Sequence, residues 1–196
     1  MKTIEWTPEL QAKLKPHQQS PYTYFGAPGQ RHLSKWIYNL DLNKYNILVR
    51  KPVDVVNFVT EHMVYTQDKV SHQIPEHWLQ NPEEVYLWLF DKRMDDCDGS
   101  AITVASILHS IGDTRVRLAL GHYGNLTYAS ASQGMNHAYC LLQKGDNHYK
   151  LLDAVGDQTI QWLENADPPS YHTLVSASAD GRLWLHNSWA EKWGNI

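Results

Sequence analysis

The sequence predicts an α+β domain in which a buried helix packs on an antiparallel sheet. Segments with helical spacing and helix-start signals come first along the chain, and alternating or continuous apolar segments between Gly, Asp and Asn come second. A chain of 196 residues corresponds to one domain. We assign residues 51–196 to this domain and residues 1–50 to an N-terminal extension that packs on it.

The extension carries only short signals of regular structure. Thr7 is a capping residue directly before a proline, which predicts a short helix over about 8–15. The turn-rich residues 16–29 predict a loop whose aromatic side chains pack on the main domain. The composition of residues 45–49 is typical of a short strand.

Three longer helices are predicted after the extension. Valines at helical spacing predict a helix over about 52–65. The capping residue Asn81, a following proline and two acidic residues predict a second helix over about 82–92. The third helix begins at Cys97 and is almost wholly apolar up to Gly112, which indicates that it is buried.

The rest of the chain predicts the sheet. Residues 115–120, 136–143 and 148–154 have the patterns of strands, and residues 171–187 have that of a hairpin with a Gly-containing turn. If the two strands that flank residues 144–147 pair, residues whose numbers sum to about 290 lie opposite each other.

The composition disfavours several classes of protein. There are 17 Lys and Arg against 21 Asp and Glu, and basic runs stop at two residues, so a nucleic-acid-binding face is not expected. No window approaches the roughly 18 apolar residues of a membrane span. Residues 1–6 lack the apolar stretch of a secretory signal, and the two cysteines lack the spacing of a disulfide-rich scaffold. We therefore expect a cytoplasmic protein.

A candidate nucleophile stands at the start of the third helix. The positive end of the helix dipole and the free N–H groups there stabilise a thiolate at Cys97. The same N–H groups can hold the oxyanion that forms when sulfur attacks a carbonyl. The neighbouring Asp95, Asp96 and Asp98 raise the thiol pKa unless they cap the helix or point away. A cationic partner is therefore required.

His137 is the candidate partner, and Asp153 is the residue that would orient it. His137 lies on one predicted strand and Asp153 on the next, and 137 plus 153 is 290, so the two are expected to be cross-strand neighbours. A carboxylate beside an imidazole fixes its tautomer and stabilises the imidazolium, which in turn stabilises a thiolate. Cys97, His137 and Asp153 thus form a candidate catalytic triad.

This order of residues resembles the transglutaminase-like superfamily, and in particular the bacterial transglutaminase-like cysteine peptidases. The resemblance covers roughly residues 52–155 and includes upstream residues at similar spacing: Tyr65, Asp68, Trp78, Pro82, Glu84 and Ala101. It implies a papain-like, transglutaminase-like core with the nucleophilic cysteine on a helix packed against the sheet. It also implies hydrolysis of a peptide or other amide bond, or acyl transfer to an amine, through a thioester.

The resemblance further implies an upstream side chain that assists the oxyanion. Trp78 matches the upstream tryptophan of the family, and Gln67 is an amide donor within reach along the sequence. The backbone N–H of Cys97 is a third donor. Hydrolysis of a peptide or other amide-bearing substrate is the favoured reaction, with no cofactor, metal, nucleic acid or membrane as a partner.

Other interpretations remain open at this point. The same fold could act as a transglutaminase-type acyltransferase or as a non-catalytic binding or structural module. A metal site on the three triad residues ranks last. A separate site on other histidines is disfavoured because HExxH and paired-cysteine spacings are absent from the sequence. Cys140 has the context of a small buried residue that faces away from His137, so a disulfide between Cys97 and Cys140 would contradict the triad.

Overall fold

The computed structural model shows an α+β fold with a six-stranded antiparallel sheet and several helices. It describes residues 3–13, 32–67, 78–91, 94–124, 135–145, 148–155, 170–187 and 190. The predicted fold class is confirmed at this level. The loop predicted over 16–29 lies outside the described residues.

The longer helices begin where the sequence predicts. The described helices are α1 (Pro8–Ala12), a 3-10 helix (Leu33–Trp36), α2 (Pro52–His62), α3 (Pro82–Phe90) and α4 (Cys97–Ser110). Their starts are set by local chemistry, and at α3 the Asn81 side chain accepts the backbone N–H of Glu84 at 2.9 Å. None of the described helices combines the length and apolar character needed to cross a membrane.

The strands from residue 116 onward confirm the sheet predicted in the second half of the chain, and three shorter strands before residue 96 were not predicted. The described strands are β1 (Thr3–Glu5), β2 (Val64–Tyr65), β3 (Met94–Asp95), β4 (Val116–Tyr123), β5 (His137–Gly145), β6 (His148–Leu152), β7 (Tyr171–Ala177) and β8 (Leu183–His186). Six of them form the antiparallel sheet in the order β1-β8-β7-β4-β5-β6. The remaining two, β2 and β3, pair as a short parallel ladder. The sheet therefore places β5 between β4 and β6.

The register of β5 and β6 differs from the predicted one by two residues. Cys140 pairs with Leu152, so the paired numbers 140 and 152 sum to 292 rather than 290. A register shift of two leaves each side chain on its predicted face, whereas a shift of one would have reversed it. His137 and Asp153 are consequently diagonal neighbours on one face instead of directly opposed residues.

The strand predicted at 45–49 is wrong. Residues 42–46 form turns, and Asn46 has a φ of 54°, a left-handed conformation that Asn tolerates better than most residues. The Tyr45 ring stacks on Tyr86 of α3 with a centroid distance of 3.7 Å. Aromatic packing against a helix therefore holds this segment in place of strand pairing.

The main core lies between the helices and one face of the sheet. In α4, Ile102, Ile107 and Leu108 are wholly buried in this core. Trp6, directly after β1, and Trp36 in the 3-10 helix belong to the same core. The first fifty residues thus contribute core side chains as well as β1, which pairs with β8.

Candidate active site

His137 and Asp153 meet at one end of the sheet. His137 is the first residue of β5, and Asp153 directly follows β6. The His137 Nε2 atom lies 2.7 Å from Asp153 Oδ2, and both side chains are largely buried. The structure thus brings together two of the three residues selected from the sequence.

Asp153 is held by three hydrogen bonds. Its Oδ2 atom accepts from His137 and, at 2.6 Å, from the Tyr171 hydroxyl. Its Oδ1 atom accepts the backbone N–H of Val155 at 2.9 Å. Because a carboxylate only accepts, Nε2 of a neutral His137 carries the proton and Nδ1 keeps its lone pair. The pair therefore offers an oriented base at Nδ1.

Three tyrosine rings lie around the His137 imidazole. The ring centroids of Tyr123, Tyr139 and Tyr171 are 5.4, 5.7 and 5.9 Å from that of His137. None of the three was selected from the sequence, where the available signal was a general one, 11 Tyr against 3 Phe.

Cys97 occupies the first position of α4, as predicted. Asp96 is the N-cap, and its side chain accepts the backbone N–H of Asp98 at 3.4 Å. Asp95 is wholly buried, and its carboxylate fills the space where a side chain at Gly99 would have to lie. Glycine at position 99 therefore lets an acidic side chain pack beside the first turn of the helix.

The surroundings of the Cys97 sulfur oppose its ionisation. Burial makes the largest contribution and raises the pKa of the Cys97 thiol. The charges of Asp96, Asp98 and Asp153 raise this pKa further, while the backbone N–H of Ala138 acts in the other direction. These surroundings favour the neutral thiol of Cys97 over the thiolate that the helix start was expected to stabilise.

The Cys97 sulfur lies next to the backbone of the residue that follows His137. Ala138, whose N–H faces the Cys97 sulfur, directly follows His137 in β5. Asp153 is close enough to the sulfur to act on its pKa. Among the described residues no hydrogen bond joins Cys97 to the His137 ring. Cys97 thus lies beside the His137–Asp153 pair, and proton transfer requires a closer or bridged contact.

A cavity of about 640 Å³ opens onto His137 and Asp153. The other described residues that line it come from α2 to β2, from α4 and from the end of the sheet: Thr60, Met63, Tyr65, Ser100, Tyr123, Asn136, Ala154 and Val155. Cys97 is not among these lining residues, although Ser100, three positions further along α4, is. The volume is in the range of small-molecule binding pockets.

Neither of the two side chains predicted to assist the oxyanion is among the described residues that line this cavity. Trp78 is buried in the core and packs edge-on against Trp36, with ring centroids 5.1 Å apart. Gln67 follows β2 and is exposed. The backbone N–H of Ala138 faces the Cys97 sulfur, so it is a better-placed donor together with the N–H of Cys97 itself.

One group of described residues could hold a metal ion. The possible ligand atoms of Asp96, Cys97 and Asp98 all lie within 4.8 Å of one another. The Asp96 side chain is engaged in capping α4, so we assign this group to the helix start. His137 and Asp153 do not join it in a group of that kind within the described part of the chain.

Both cysteines are free thiols, so no disulfide contradicts the triad. Cys140 is wholly buried in β5, and its sulfur donates to the carbonyl oxygen of Ala101 in α4 at 3.2 Å. It faces α4, and alternation along the strand turns His137 to the opposite face. Cys140 is therefore a structural core residue.

Comparison with known proteins leaves the family of this chain open. No protein-family model matches it, and no curated protein matches it. Conclusions about function therefore depend on the geometry of the site.

Proposed function

We propose that this chain is a thiol-dependent amide or peptide hydrolase with a transglutaminase-like catalytic core. Cys97 is the nucleophile, His137 is the base, and Asp153 orients His137. The reaction passes through a thioester on Cys97 that water then hydrolyses.

The His137–Asp153 hydrogen bond beside the start of α4 carries this proposal. The 2.7 Å contact fixes one ring nitrogen of His137 and leaves the other as a base. The Cys97 thiol stands at the first residue of a 14-residue buried helix and beside the residue that follows His137. A nucleophile, a base and an orienting carboxylate in one place support acyl transfer.

The raised pKa of Cys97 gives His137 the role of general base. As the sulfur bonds to the carbonyl carbon, Nδ1 of His137 takes the thiol proton and the carbonyl π electrons move to oxygen. The N–H groups of Cys97 and Ala138 stabilise that oxyanion. When the intermediate collapses, the C–N bond breaks, the amine leaves with the proton from His137, and the thioester remains.

The cavity walls favour a neutral acyl group. Apart from His137 and Asp153, which bond to each other, the described lining residues carry no charge. A charged substrate group in this space would lose hydration without gaining an ionic partner. We therefore expect a neutral peptide or amide with an apolar or aromatic group beside the scissile bond.

A non-catalytic binding module is the second candidate. Two features favour it: burial and the nearby carboxylates raise the pKa of Cys97, and Cys97 is not among the described residues that line the cavity. In this alternative the cavity holds a peptide without turnover, and His137 does not increase the reactivity of the Cys97 thiol.

Alkylation of the two cysteines separates these candidates. Iodoacetamide labelling near neutral pH, followed by peptide mass spectrometry, gives a rate at each cysteine in the wild type and in two variants. If His137 is the base, labelling of Cys97 should fall by about 10²-fold in His137→Ala. The control is His148→Ala, an exposed histidine of β6, which should label like the wild type. Equal Cys97 rates in all three proteins would favour the binding module.

The acyl-enzyme itself gives the second readout. A neutral peptide p-nitroanilide should add the mass of its acyl group to Cys97 in the wild type, and the adduct should decay as free acid appears. Cys97→Ala should form no adduct. A primary amine added to the reaction identifies an acyltransferase if it diverts the product from acid to amide.

A further inference from the structure

Tyr171 makes a contact that a three-residue triad does not require. Its hydroxyl donates to Asp153 Oδ2, the same oxygen that accepts from His137. Tyr171 begins β7, and in the sheet β7 is separated from β5 by β4. The bond therefore joins the site to a strand that is not a neighbour of β5 or β6.

The Tyr171 hydroxyl is held as a donor. Tyr171 is 6% exposed, and burial, followed by the charge of Asp153, raises its pKa. Because the Asp153 carboxylate only accepts hydrogen bonds, the proton in this bond comes from the phenol. Its ring is also fixed, with centroids 4.8 Å from Tyr123 and 5.3 Å from Tyr139.

We propose that Tyr171 is a positioning residue that sets the orientation of Asp153 and the strength of the Asp153–His137 hydrogen bond. The proposal rests on the proposed function, in which His137 acts as the base. Two donors on one carboxylate oxygen compete for the same negative charge, so each weakens the bond that the other makes. Together with the N–H of Val155, Tyr171 also limits rotation of the carboxylate.

Proton NMR of the His137 ring in Tyr171→Phe tests this role directly. The variant keeps the aromatic ring and removes the hydroxyl, so Asp153 Oδ2 retains His137 as its donor. The Nε2–H proton of His137 should then move downfield, as expected for a stronger hydrogen bond. The spectrum requires no substrate and no catalytic activity.

Tyr139→Phe is the matched control. Tyr139 lies at a similar distance from the His137 ring, but its hydroxyl pairs with Thr173 Oγ1 at 2.8 Å. The His137 proton should keep its wild-type position in this variant. An unchanged resonance in Tyr171→Phe, or an equal displacement in Tyr139→Phe, would overturn the proposal.

A second substitution keeps the test decisive if Tyr171→Phe fails to fold. Site-specific 3-fluorotyrosine at position 171 is a more acidic phenol and a stronger donor to Asp153. The His137 proton should then move upfield, and a downfield or unchanged position contradicts the proposed competition.

Amide hydrolysis is measured separately on the same proteins. Tyr171→Phe should lower the rate by about tenfold, the factor that corresponds to one lost hydrogen bond that orients Asp153, while His148→Ala, at an exposed position of β6, should retain the wild-type rate. Absence of hydrolysis in the wild type would count against the proposed function alone, because the ring proton still decides whether Tyr171 tunes the His137–Asp153 pair.

Discussion

The two faces of the six-stranded sheet are both buried, but by different chemistry. The helix face, which packs toward α4, contributes apolar side chains to the main core: Leu118, Leu120, Ala138, Cys140, Leu142, Leu152, Val175 and Ala177. The opposite face, here called the tyrosine face, has a separate cluster: Ala119, Tyr139, Leu141, Tyr149, Leu151 and Tyr171. His137 and Asp153 lie on the tyrosine face.

Polar groups on the tyrosine face are paired with one another. The buried Arg117 guanidinium lies 3.4 Å from the Trp184 ring centroid and donates to the Tyr149 hydroxyl at 2.8 Å. His186 is wholly buried and bonds to Ser176 Oγ at 2.8 Å. The rings of Tyr149 in β6 and His186 in β8 are 6.0 Å apart, although three strands separate β6 from β8 in the sheet. The sheet therefore curls over this face.

The two faces therefore have different roles. The helix face stabilises the fold by apolar packing, and the tyrosine face fixes the orientation of buried polar side chains. Apolar packing on the helix face depends on volume and shape. Hydrogen bonds on the tyrosine face depend on direction, because each buried donor needs a particular acceptor. The His137–Asp153–Tyr171 group is one of these directed networks, so the candidate chemistry lies where the fold already orders polar side chains.

The largest expected effect compares one leucine from each face. Leu118 and Leu141 are both wholly buried, so Leu118→Ala and Leu141→Ala should each lower the free energy of unfolding by about 3 kcal/mol in urea titrations. Leu141 packs in the cluster on the tyrosine face, the face that also carries His137. Leu141→Ala should therefore also displace the Nε2–H resonance of His137. An equal displacement of the His137 resonance in Leu118→Ala and Leu141→Ala would show that packing on the two faces affects the candidate site equally.

A smaller effect concerns pH and His186 on the tyrosine face. Burial, followed by the charge of Arg117, lowers the pKa of His186 from 6.5 to about 3. The unfolded chain takes up this proton below pH 6.5, so His186 contributes stability above that pH and loses it as pH falls toward 3. The loss is at most about 1.4 kcal/mol per pH unit.

His186→Gln tests this contribution because glutamine keeps a polar group beside Ser176 and does not titrate. Urea unfolding at several pH values below 6.5 should show a shallower loss of stability in the variant than in the wild type. The same slope in both proteins would mean that other groups cause the acid sensitivity.

The smallest expected effect lies on the helix face. Cys140→Ala removes a buried sulfur and its bond to Ala101, so the free energy of unfolding should fall by about 1 kcal/mol. The alkylation rate of Cys97 should match the wild type, because Cys140 faces away from His137. A changed alkylation rate would show that packing on the helix face affects the reactivity of Cys97.

Helix starts could be predicted from the sequence because their causes are local. Asn81 caps α3 and Asp96 caps α4 with side chains that lie two or three residues from the groups that they bind. The segment around Tyr45 could not be predicted in this way. Its conformation depends on Tyr86, far along the chain, and composition alone favoured a strand.

The same distinction applies to the candidate site. His137 and Asp153 were found together from strand alternation, which tolerated a register error of two residues. The raised pKa of Cys97 depends mainly on burial, which the sequence does not specify. Tyr171 reaches Asp153 only because the sheet curls, so no local pattern marks it.

The pairing of β1 with β8 has a consequence for how the molecule folds. The Thr3 hydroxyl bonds to His186 Nδ1 across 183 positions of sequence, and β1 reaches the sheet only through β8. Contacts between such distant segments carry a large loop-closure entropy and slow the folding of β-rich domains. During synthesis β1 therefore cannot pair with β8 until almost all of the residues between the two strands have left the ribosome.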